Sequence, residues 1–314
     1  MPTIKKPDVP FLPKHLLRIA DYSPDDLLHV LSLALRQKSS DYTEKPLLGK
    51  TLAMIFAKSS TRTRVSFESG VYQLGGMGMF LSSSDLQLGR GEPISDTAKV
   101  LSRMVDGIMI RTFAQSDVDD LAKYGSIPVI NGLTDLCHPC QALADMLTFF
   151  EHKGAFEGKI AFIGDGNNVC NSLMMICAKL GVDFALACPE ACMPDPQMLL
   201  LAEKAAAESG ANIFITHKPR EAAVDADCIY TDVWASMGQE SERLVRFELL
   251  SSYQVNAELC ALAKPDYIFQ HCLPAHRGEE VTSDIIDGPH SAVWDEAENR
   301  LHVQKAVMTL LMGS

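Results

Sequence analysis

The sequence lacks any hydrophobic segment that resembles a membrane span. No apolar run in its 314 residues approaches the roughly 20 residues that a transmembrane helix needs. The first residues, MPTIKKPDVPFLPKHLL, contain neither the apolar core of a secretory signal nor the arginine- and serine-rich composition of a transit peptide. These absences argue against a membrane protein, and we expect a cytoplasmic chain with no membrane partner. A processed organellar protein is the alternative, because it would have the same features.

Positive charge is also scarce. Lys and Arg number 28 against 40 Asp and Glu, which gives a formal net charge of −12. Nucleic acid and anionic membranes repel an acidic chain, so neither is expected as a partner. An anionic metabolite would need a local concentration of basic residues, and the few arginine-rich segments are therefore informative.

Cysteine is present, but not in the pattern of a disulfide framework. The nine cysteines are odd in number and irregularly spaced. Cys137 and Cys140 have the C-x-x-C spacing of a zinc site or a redox pair. A zinc site lacks ligands, because no second C-x-x-C is present, so a redox pair is the alternative to two cysteines without such a function. His271, Cys272 and His276 also suggest zinc, but adjacent residues in a strand point to opposite faces. We therefore expect no metal.

Short apolar runs alternate with helical patterns along most of the chain. Runs that are apolar throughout are typical of parallel strands covered by helices on both faces. The predicted strands are Thr51–Ala57, Gly107–Thr112, Ile127–Ile130, Lys159–Gly164, Phe184–Cys188, Asn212–Thr216, Cys228–Val233 and Tyr267–Leu273. The predicted helices include one opened by Ser23-Pro24-Asp25-Asp26 and others at Arg64–Leu74, Thr97–Met104, Gln141–His152, Val169–Leu180, Gln197–Glu208 and Arg300–Leu311.

This alternation predicts an α/β fold with two domains, each a parallel sheet flanked by helices. The turn at Gly154–Gly158 separates a long helix from a new strand and marks the expected boundary. We predict a first domain at 1–153 and a second at 154–297. A C-terminal helix at about 298–314 is expected to pack back onto the first domain.

A phosphate-binding pattern occurs where the first predicted strand ends. Lys58-Ser59-Ser60-Thr61-Arg62-Thr63-Arg64 follows that strand and opens a helix. The N–H groups and dipole of a helix start favour an anion, and hydroxyl and guanidinium groups add donors. A simple helix cap needs one Ser or Thr. Several hydroxyls beside two arginines therefore predict an anion site, with a capped helix and solvated arginines as the alternative.

This segment and several others resemble one known family, the aspartate and ornithine carbamoyltransferases. The segments are, in order, SSTRTR with VSFESGVYQLGG, LQLGRGEPISDTAKVLSRMVDGIMIRT, NGLTDLCHPCQALAD, IGDGNN, DVWASMGQE and FQHCLPAHRGEE. The resemblance covers nearly the whole chain. It implies an enzyme that transfers the carbamoyl group of carbamoyl phosphate to an amine, with no metal and no organic cofactor.

The resemblance implies where carbamoyl phosphate binds. Arg111 ends a predicted strand, where open α/β sheets place ligands. His138 and Gln141 are three residues apart and can face one ligand; in the family the first donates to the oxyanion and the second accepts from the carbamoyl NH2. Arg300 is expected at the start of the last helix. The implied binding residues are Ser60, Thr61, Arg62, Thr63, Gln87, Arg111, His138, Gln141, Leu273 and Arg300.

Three strand ends in the second half predict an amino-acid site. Asn168 can donate to a carboxylate, and Asp232 can pair with an α-ammonium group. The resemblance adds Ser236 and Met237 as ornithine-binding residues and places Cys272 near the reacting amine. The Ser-Met-Gly motif resembles the ornithine members of the family, whereas the aspartate members need basic groups for a second carboxylate. The three strand ends are Gly164–Asn168, Asp232–Gly238 and His271–Pro274.

The implied reaction converts carbamoyl phosphate and L-ornithine to phosphate and L-citrulline, as in arginine biosynthesis. The implied catalytic residues are Arg111, His138, Asp232 and Cys272, and the group that removes the amine proton stays open between Asp232, Cys272 and the leaving phosphate. A homotrimer with shared active sites is expected, because the resemblance makes Gln87 reach a neighbouring subunit and a ring of heterologous contacts can close at three.

Other functions fit part of the sequence. Within the family, N-acetylornithine or putrescine are alternative acceptors. A dinucleotide-binding dehydrogenase is the alternative from another class, because Gly164-x-Gly166 follows a strand and Glu190 ends the next one. However, Val169 replaces the third glycine of that motif. A non-enzymatic binding protein of the same fold is the remaining possibility.

Overall fold

The computed structural model describes residues 3–83, 86, 91–234 and 243–313. These residues form two compact units. The first unit consists of residues 3–144 with 299–313, and the second consists of residues 145–298.

The first unit contains a four-stranded parallel sheet. Its strands are β1 (Thr51–Phe56), β2 (Met77–Ser82), β3 (Gly107–Arg111) and β4 (Val129–Leu133), in the spatial order β2-β1-β3-β4. Its helices include α1 (Pro24–Lys38), α2 (Thr61–Gln73), α3 (Ile94–Leu101) and α4 (Gln115–Tyr124). Every residue of β3 and all but the first of β1 are buried, which is why these strands are apolar without alternation.

A long helix, α5 (Pro139–Lys153), leads from the first unit into the second. The second unit has a five-stranded parallel sheet made of β5 (Lys159–Ile163), β6 (Asp183–Ala187), β7 (Ile213–Thr216), β8 (Cys228–Thr231) and β9 (Ile268–His271). Its spatial order is β7-β6-β5-β8-β9. The remaining helices are α6 (Asn168–Leu180), α7 (Pro196–Ser209), α8 (Pro219–Ala223), α9 (Arg243–Leu250), α10 (Ala257–Cys260), α11 (Ser283–Ile286) and α12 (Val293–Met312). The predicted fold class, two parallel sheets flanked by helices, is confirmed.

Both sheets reverse their strand order beside their first strand. β1 lies between β2 and β3, and β5 lies between β6 and β8, so the chain builds outward in one direction and then in the other. At such a switch point the loops that follow two neighbouring strands separate and leave a crevice for a ligand. Ser60 follows β1 and Arg111 ends β3, while Asn168 begins the helix after β5 and Asp232 follows β8.

The C-terminal part of α12 packs beside α2 in the first unit. A Cβ atom added at Gly70 of α2 would lie 3.1 Å from Met308, 3.2 Å from Lys305 and 3.4 Å from Leu301. A glycine at this position therefore permits the close approach of the two helices, and α12 carries Arg300 towards the start of α2.

The structure corrects three details of the sequence prediction. α12 begins at Val293, where Asp295 and Glu296 favour a helix start, so Arg300 lies within the helix rather than at its beginning. Glu190 belongs to a short 3-10 turn and does not end β6. β2 was not predicted as a strand, because it contains a glycine and Met77 is half exposed at the edge of the sheet. Within the described ranges, no helix is long and apolar enough to cross a membrane.

Candidate active site

The phosphate-binding segment forms the N-terminus of α2. Ser60 caps this helix, and its hydroxyl oxygen accepts a hydrogen bond from the Thr63 N–H over 3.2 Å. Thr61 is exposed in the first turn, and Arg62 is half buried beside it. The helix start therefore presents hydroxyl and guanidinium donors at the positive end of the helix dipole.

Thr63 is the centre of a buried cluster of side chains in the first unit. Its hydroxyl oxygen accepts from Nη1 of Arg111 at 3.4 Å and from Nη2 of Arg300 at 3.3 Å. Arg300 also donates from Nη1 to Oε1 of Gln141 over 2.6 Å. All four side chains are at most 8% exposed. The structure thus brings together residues from α2, β3, α5 and α12, and it concentrates two guanidinium groups where a phosphate or carbonyl oxygen could bind.

His138 is a neutral hydrogen-bonding group in this environment. Burial, and then the positive charges of Arg300, Arg111 and Arg62, lower the pKa of His138 well below its ordinary value. A neutral imidazole donates one hydrogen bond without adding charge. Such a donor suits a carbonyl oxygen that becomes negative during acyl transfer.

The turn that carries His138 is fixed by Thr134. The Thr134 hydroxyl accepts from the Cys137 N–H at 3.1 Å and donates to Oε1 of Gln115 at 2.8 Å, and the Thr134 N–H donates to the Cys137 carbonyl at 2.9 Å. Cys137 and Cys140 are both buried, and burial raises the pKa of the Cys140 thiol to about 11. Reactive redox cysteines have the opposite properties, exposure and a low pKa.

Lys58 is a residue whose role the sequence analysis missed. It is buried, forms an ion pair with Asp135, and places its ammonium group 4.2 Å from the centre of the Phe113 ring. It therefore joins the loop after β1 to the loops after β3 and β4. The signal was present, because a lysine next to several hydroxyl residues at a strand end is unusual for a plain helix cap.

Asp232 is the corresponding polar centre of the second unit. Its Oδ1 accepts from the Cys272 thiol at 2.9 Å and from the Val233 N–H at 2.8 Å, and its Oδ2 accepts from Nδ2 of Asn167 at 2.7 Å. Burial and the negative charge of Asp232 raise the pKa of Cys272 well above its ordinary value. Cys272 is therefore a protonated thiol that donates to a carboxylate.

Asn167 links the loop after β5 to Asp232. Oδ1 of the Asn167 side chain accepts from the Val169 and Cys170 N–H groups and caps α6, while Nδ2 of the same side chain donates to Asp232. Asn168 is the first residue of α6 and half buried beside it. Sequence reasoning named Asn168 and missed Asn167, because two adjacent asparagines at a helix start are interchangeable until the backbone is known.

A second missed pair lies in the same loop. Asp165 is buried for the most part and forms a 2.9 Å ion pair with Arg246 of α9. Burial raises the pKa of Asp165, although Arg246 acts in the opposite direction. This pair fixes α9, which follows the Ser-Met-Gly segment, to the loop after β5.

Leu273 adopts a left-handed backbone conformation, with φ of 54°. Its N–H donates to Nδ1 of His271 over 2.9 Å, and Nε2 of His271 lies 3.2 Å from Oε1 of Glu280. Since Nδ1 accepts, Nε2 carries the proton and donates to Glu280. A non-glycine residue in this region costs about 1–3 kcal/mol, and such strain concentrates at functional sites.

The expectation that His271 and Cys272 point apart is wrong. β9 ends at His271, so the strict alternation of a strand does not extend to Cys272, and candidate metal-binding atoms of Asp232, His271 and Cys272 lie within 4.8 Å of one another. Nδ1 of His271 and the Cys272 thiol are engaged in the hydrogen bonds described above. Gln87, Ser236 and Met237 lie outside the described residues.

Each sheet has a switch point, and polar side chains gather beside both. One cluster is rich in arginine and suits an anion, and the other is centred on an aspartate and suits an amine. Fold and clusters together are those of a class of protein that binds an anion and an amine. A family model described as the carbamoyl-P binding domain of aspartate/ornithine carbamoyltransferase matches residues 14–151, and one described as the Asp/Orn binding domain matches residues 157–311. The chain therefore belongs to the aspartate/ornithine carbamoyltransferase family, as its sequence motifs predicted.

Known proteins resemble this chain over nearly its full length. The ornithine carbamoyltransferase of Methanothermobacter thermautotrophicus is 59% identical over 300 residues, which cover 96% of this chain and 99% of that protein. An anabolic ornithine carbamoyltransferase of Pyrococcus furiosus is 55% identical over 304 residues, 96% of each chain. The solved structure of ornithine carbamoyltransferase from Pyrococcus furiosus has a TM-score of 0.94 at 54% identity and covers 98% of this chain and 99% of its own.

Proposed function

We propose that this chain transfers the carbamoyl group of carbamoyl phosphate to the δ-amine of L-ornithine, giving L-citrulline and phosphate. The observation that carries the proposal is the buried cluster in which Arg111 and Arg300 donate to the Thr63 hydroxyl and Arg300 also donates to Gln141. The charges of the same two arginines help to keep His138 neutral. The names of the relatives support ornithine as the acceptor. The anabolic Pyrococcus furiosus relative supports a biosynthetic direction.

In the proposed reaction, the amine nitrogen attacks the carbonyl carbon of carbamoyl phosphate. Ser60, Thr61, Arg62 and Thr63 bind the phosphate through the start of α2. As the tetrahedral intermediate forms, Arg111 and His138 donate to the oxyanion, while Gln141 accepts from the NH2 group. The bond from carbon to the bridging oxygen then breaks, and phosphate leaves with the electron pair. Stabilising the oxyanion with fixed donors is a large term in reactions of this type.

Arg300 holds this arrangement in place. Its guanidinium group donates to Thr63 and to Gln141 through two different nitrogens, so it orients both side chains at once. A planar guanidinium can make such a fork, and a lysine cannot. Leu273 completes the set of proposed carbamoyl-phosphate-binding residues, with a backbone conformation that His271 supports.

Ornithine is proposed to bind in the second unit. Asp232 accepts from the α-ammonium group, and Asn168 donates to the carboxylate. Ser236 and Met237 are proposed to complete this site, in keeping with the family resemblance. The three hydrogen bonds that Asp232 accepts hold its carboxylate in one orientation, which prepares it for a cationic ligand.

The amine must lose a proton before or during attack, and Cys272 is the least suitable of the three candidate acceptors. A protonated thiol that donates to Asp232 has no capacity to accept a proton at neutral pH. We therefore assign Cys272 a positioning role and leave the proton to Asp232 or to the departing phosphate, whose oxygens become more basic as the bond breaks.

We also propose a homotrimer in which neighbouring subunits share active sites. A groove beside the phosphate-binding segment is lined by Ser59, Thr61, Val65, Phe80 and Ser83, which places the start of α2 next to the edge of the sheet. Met77, Met79 and Phe80 of this edge are partly exposed apolar residues, as at surfaces that meet a partner. The expected cytoplasmic location stays a prediction.

A paired assay tests the proposed reaction against the dehydrogenase alternative. The purified chain should form citrulline from carbamoyl phosphate and ornithine, and it should cause no change in nicotinamide absorbance with the same acceptor. Nicotinamide reduction without citrulline would overturn the proposal, and the absence of both activities would favour a binding protein.

A further inference from the structure

A second cluster of possible metal ligands lies in the loop that follows β9. His276, Glu279 and Glu280 each offer one ligand atom, and these atoms lie within 4.8 Å of one another. All three belong to the second unit. The cluster shares no ligand with the hydrogen-bonded centre at Asp232 and Cys272.

Glu280 has one carboxylate oxygen that lacks a donor. Its Oε1 accepts from the His276 N–H at 2.5 Å and from Nε2 of His271 at 3.2 Å. No donor from the described part of the chain makes a hydrogen bond to Oε2, although Glu280 is 0% exposed. Nδ1 of His276 lies 3.8 Å from Oε2, a separation too long for a hydrogen bond.

The buried Glu280 carboxylate accepts both of these hydrogen bonds through Oε1, so its Oε2 is removed from water without a hydrogen-bond donor from the described residues. A charged oxygen removed from water is costly unless a partner compensates it. A cation between Oε2 and His276 would supply that compensation.

We propose that His276, Glu279 and Glu280 bind one divalent transition-metal ion of the zinc type. An imidazole nitrogen with carboxylate oxygens is a ligand set typical of zinc and its neighbours, whereas calcium and magnesium prefer oxygen ligands alone. Two ligands that are each about 2.1 Å from zinc at a tetrahedral angle lie about 3.4 Å apart. The 3.8 Å between Nδ1 of His276 and Oε2 of Glu280 needs only a small side-chain movement to match.

The loop that bears these ligands is held independently of any ion. Nε2 of Gln254 donates to the Gly278 and Glu279 carbonyls at 3.1 and 2.8 Å. Arg277 forms two bonds with Asp287, at 2.8 and 2.6 Å. The ligands are therefore supported on a fixed backbone, which reduces the entropy lost on binding.

Glu279 has a partner that it can exchange. It forms an ion pair with Arg243, whose side chain is 57% exposed. Surface ion pairs of this kind contribute about 0–1 kcal/mol. Replacing Arg243 by a divalent ion therefore costs little, and two carboxylates with a neutral histidine balance the charge of the ion.

Cobalt(II) is a suitable probe because its absorption reports the ligand type. We expect the full-length chain, freed of metal by a chelator, to bind one Co2+ with visible d–d absorption and without a thiolate-to-cobalt charge-transfer band. Zinc should displace it one for one. His276→Ala and Glu279→Gln should each weaken binding about tenfold or more. The matched variants His152→Ala and Glu258→Gln, which remove a histidine and a glutamate from other surface ion pairs, should bind like the wild type.

Three results would overturn the site. A thiolate band would assign the ion to Cys272 instead. Equal affinity in His276→Ala, Glu279→Gln and the two control variants would show that these side chains are not ligands. A wild-type chain that binds no cobalt at millimolar concentration would show that His276 and Glu280 compensate one another without an ion.

Discussion

The Cys272 thiol donates a hydrogen bond to Oδ1 of Asp232 over 2.9 Å, and burial together with this carboxylate raises the pKa of that thiol. The pair therefore consists of a neutral donor and a charged acceptor. This arrangement places a negative charge at Asp232, where the proposed amino-acid site would receive the substrate ammonium group.

Replacing Cys272 tests this assignment. Cys272→Ser keeps a donor to Asp232, so its kcat/KM for ornithine should stay within about tenfold of the wild type, with the same pH profile. Cys272→Ala removes the donor and should cost about 1.5–3 kcal/mol of ornithine binding, since hydrogen bonds to charged groups have that strength. Loss of the alkaline or acidic limb of the profile in Cys272→Ser would instead identify the thiol as the proton acceptor.

The neutral state of His138 predicts a dependence of stability on pH. Its pKa is lowered in the folded chain, so the unfolded chain takes up a proton first as the pH falls below about 6.5. The contribution of neutral His138 to the free energy of unfolding is therefore fully present above the unfolded pKa. It is lost as the pH falls from the unfolded pKa towards the lower folded pKa. The Tm of the wild type should therefore fall more between about pH 7.5 and about pH 5.5 than that of His138→Asn. Each kcal/mol lost from the free energy of unfolding lowers the Tm by roughly 2–4 °C.

His152→Asn is the control for this comparison, because His152 is partly exposed in an ion pair with Asp295. It should show the acid sensitivity of the wild type. If His138→Asn loses as much Tm as the wild type over the same range, the pKa of His138 is not lowered in the folded chain, and the argument that makes it a neutral donor fails.

Arg111 has two proposed roles, in binding the phosphate and in donating to the oxyanion. Arg111→Ala removes a buried donor at the end of β3, and the loss of one such donor typically lowers turnover by about 10²–10³. Arg103→Ala, a change at an exposed arginine of the same unit, should leave turnover unchanged. Steady-state rates and circular dichroism spectra of both variants provide the check, and a folded Arg111→Ala enzyme with near-normal turnover would show that the site is misplaced.

Much of the fold followed from local patterns. Strands β1 and β3 were predictable because buried parallel strands are apolar without interruption. The places of Ser60 at the start of α2 and of Arg111 at the end of β3 followed from these strands, while their binding roles stay predictions. β2 was missed because an exposed edge strand has no such pattern. The roles of Asn167 and Lys58 depend on which side chain turns towards a loop far away in sequence, and Arg300 was misplaced because the acids that start α12 lie one and a half turns earlier.

Shared active sites predict complementation between inactive subunits. Subunits with Gln87→Ala and subunits with Arg62→Ala should each be impaired, and mixing them after dissociation should restore activity above either parent, because some interfaces then combine two intact contributions. Gln87→Ala alone must first be shown to be strongly impaired. Mixtures that stay as inactive as their parents would mean that each subunit holds a complete site.

The central claim is that ornithine is the acceptor, and initial rates with four amines test it most directly. Ornithine, N-acetylornithine, putrescine and aspartate should be compared at equal concentration with saturating carbamoyl phosphate. The account predicts the highest kcat/KM for ornithine, because Asp232 suits a free α-ammonium group and Asn168 a free carboxylate. N-acetylornithine blocks the first group, putrescine lacks the second, and aspartate has no side-chain amine to accept the carbamoyl group. An equal or higher value for putrescine, which has no carboxylate, would contradict the account.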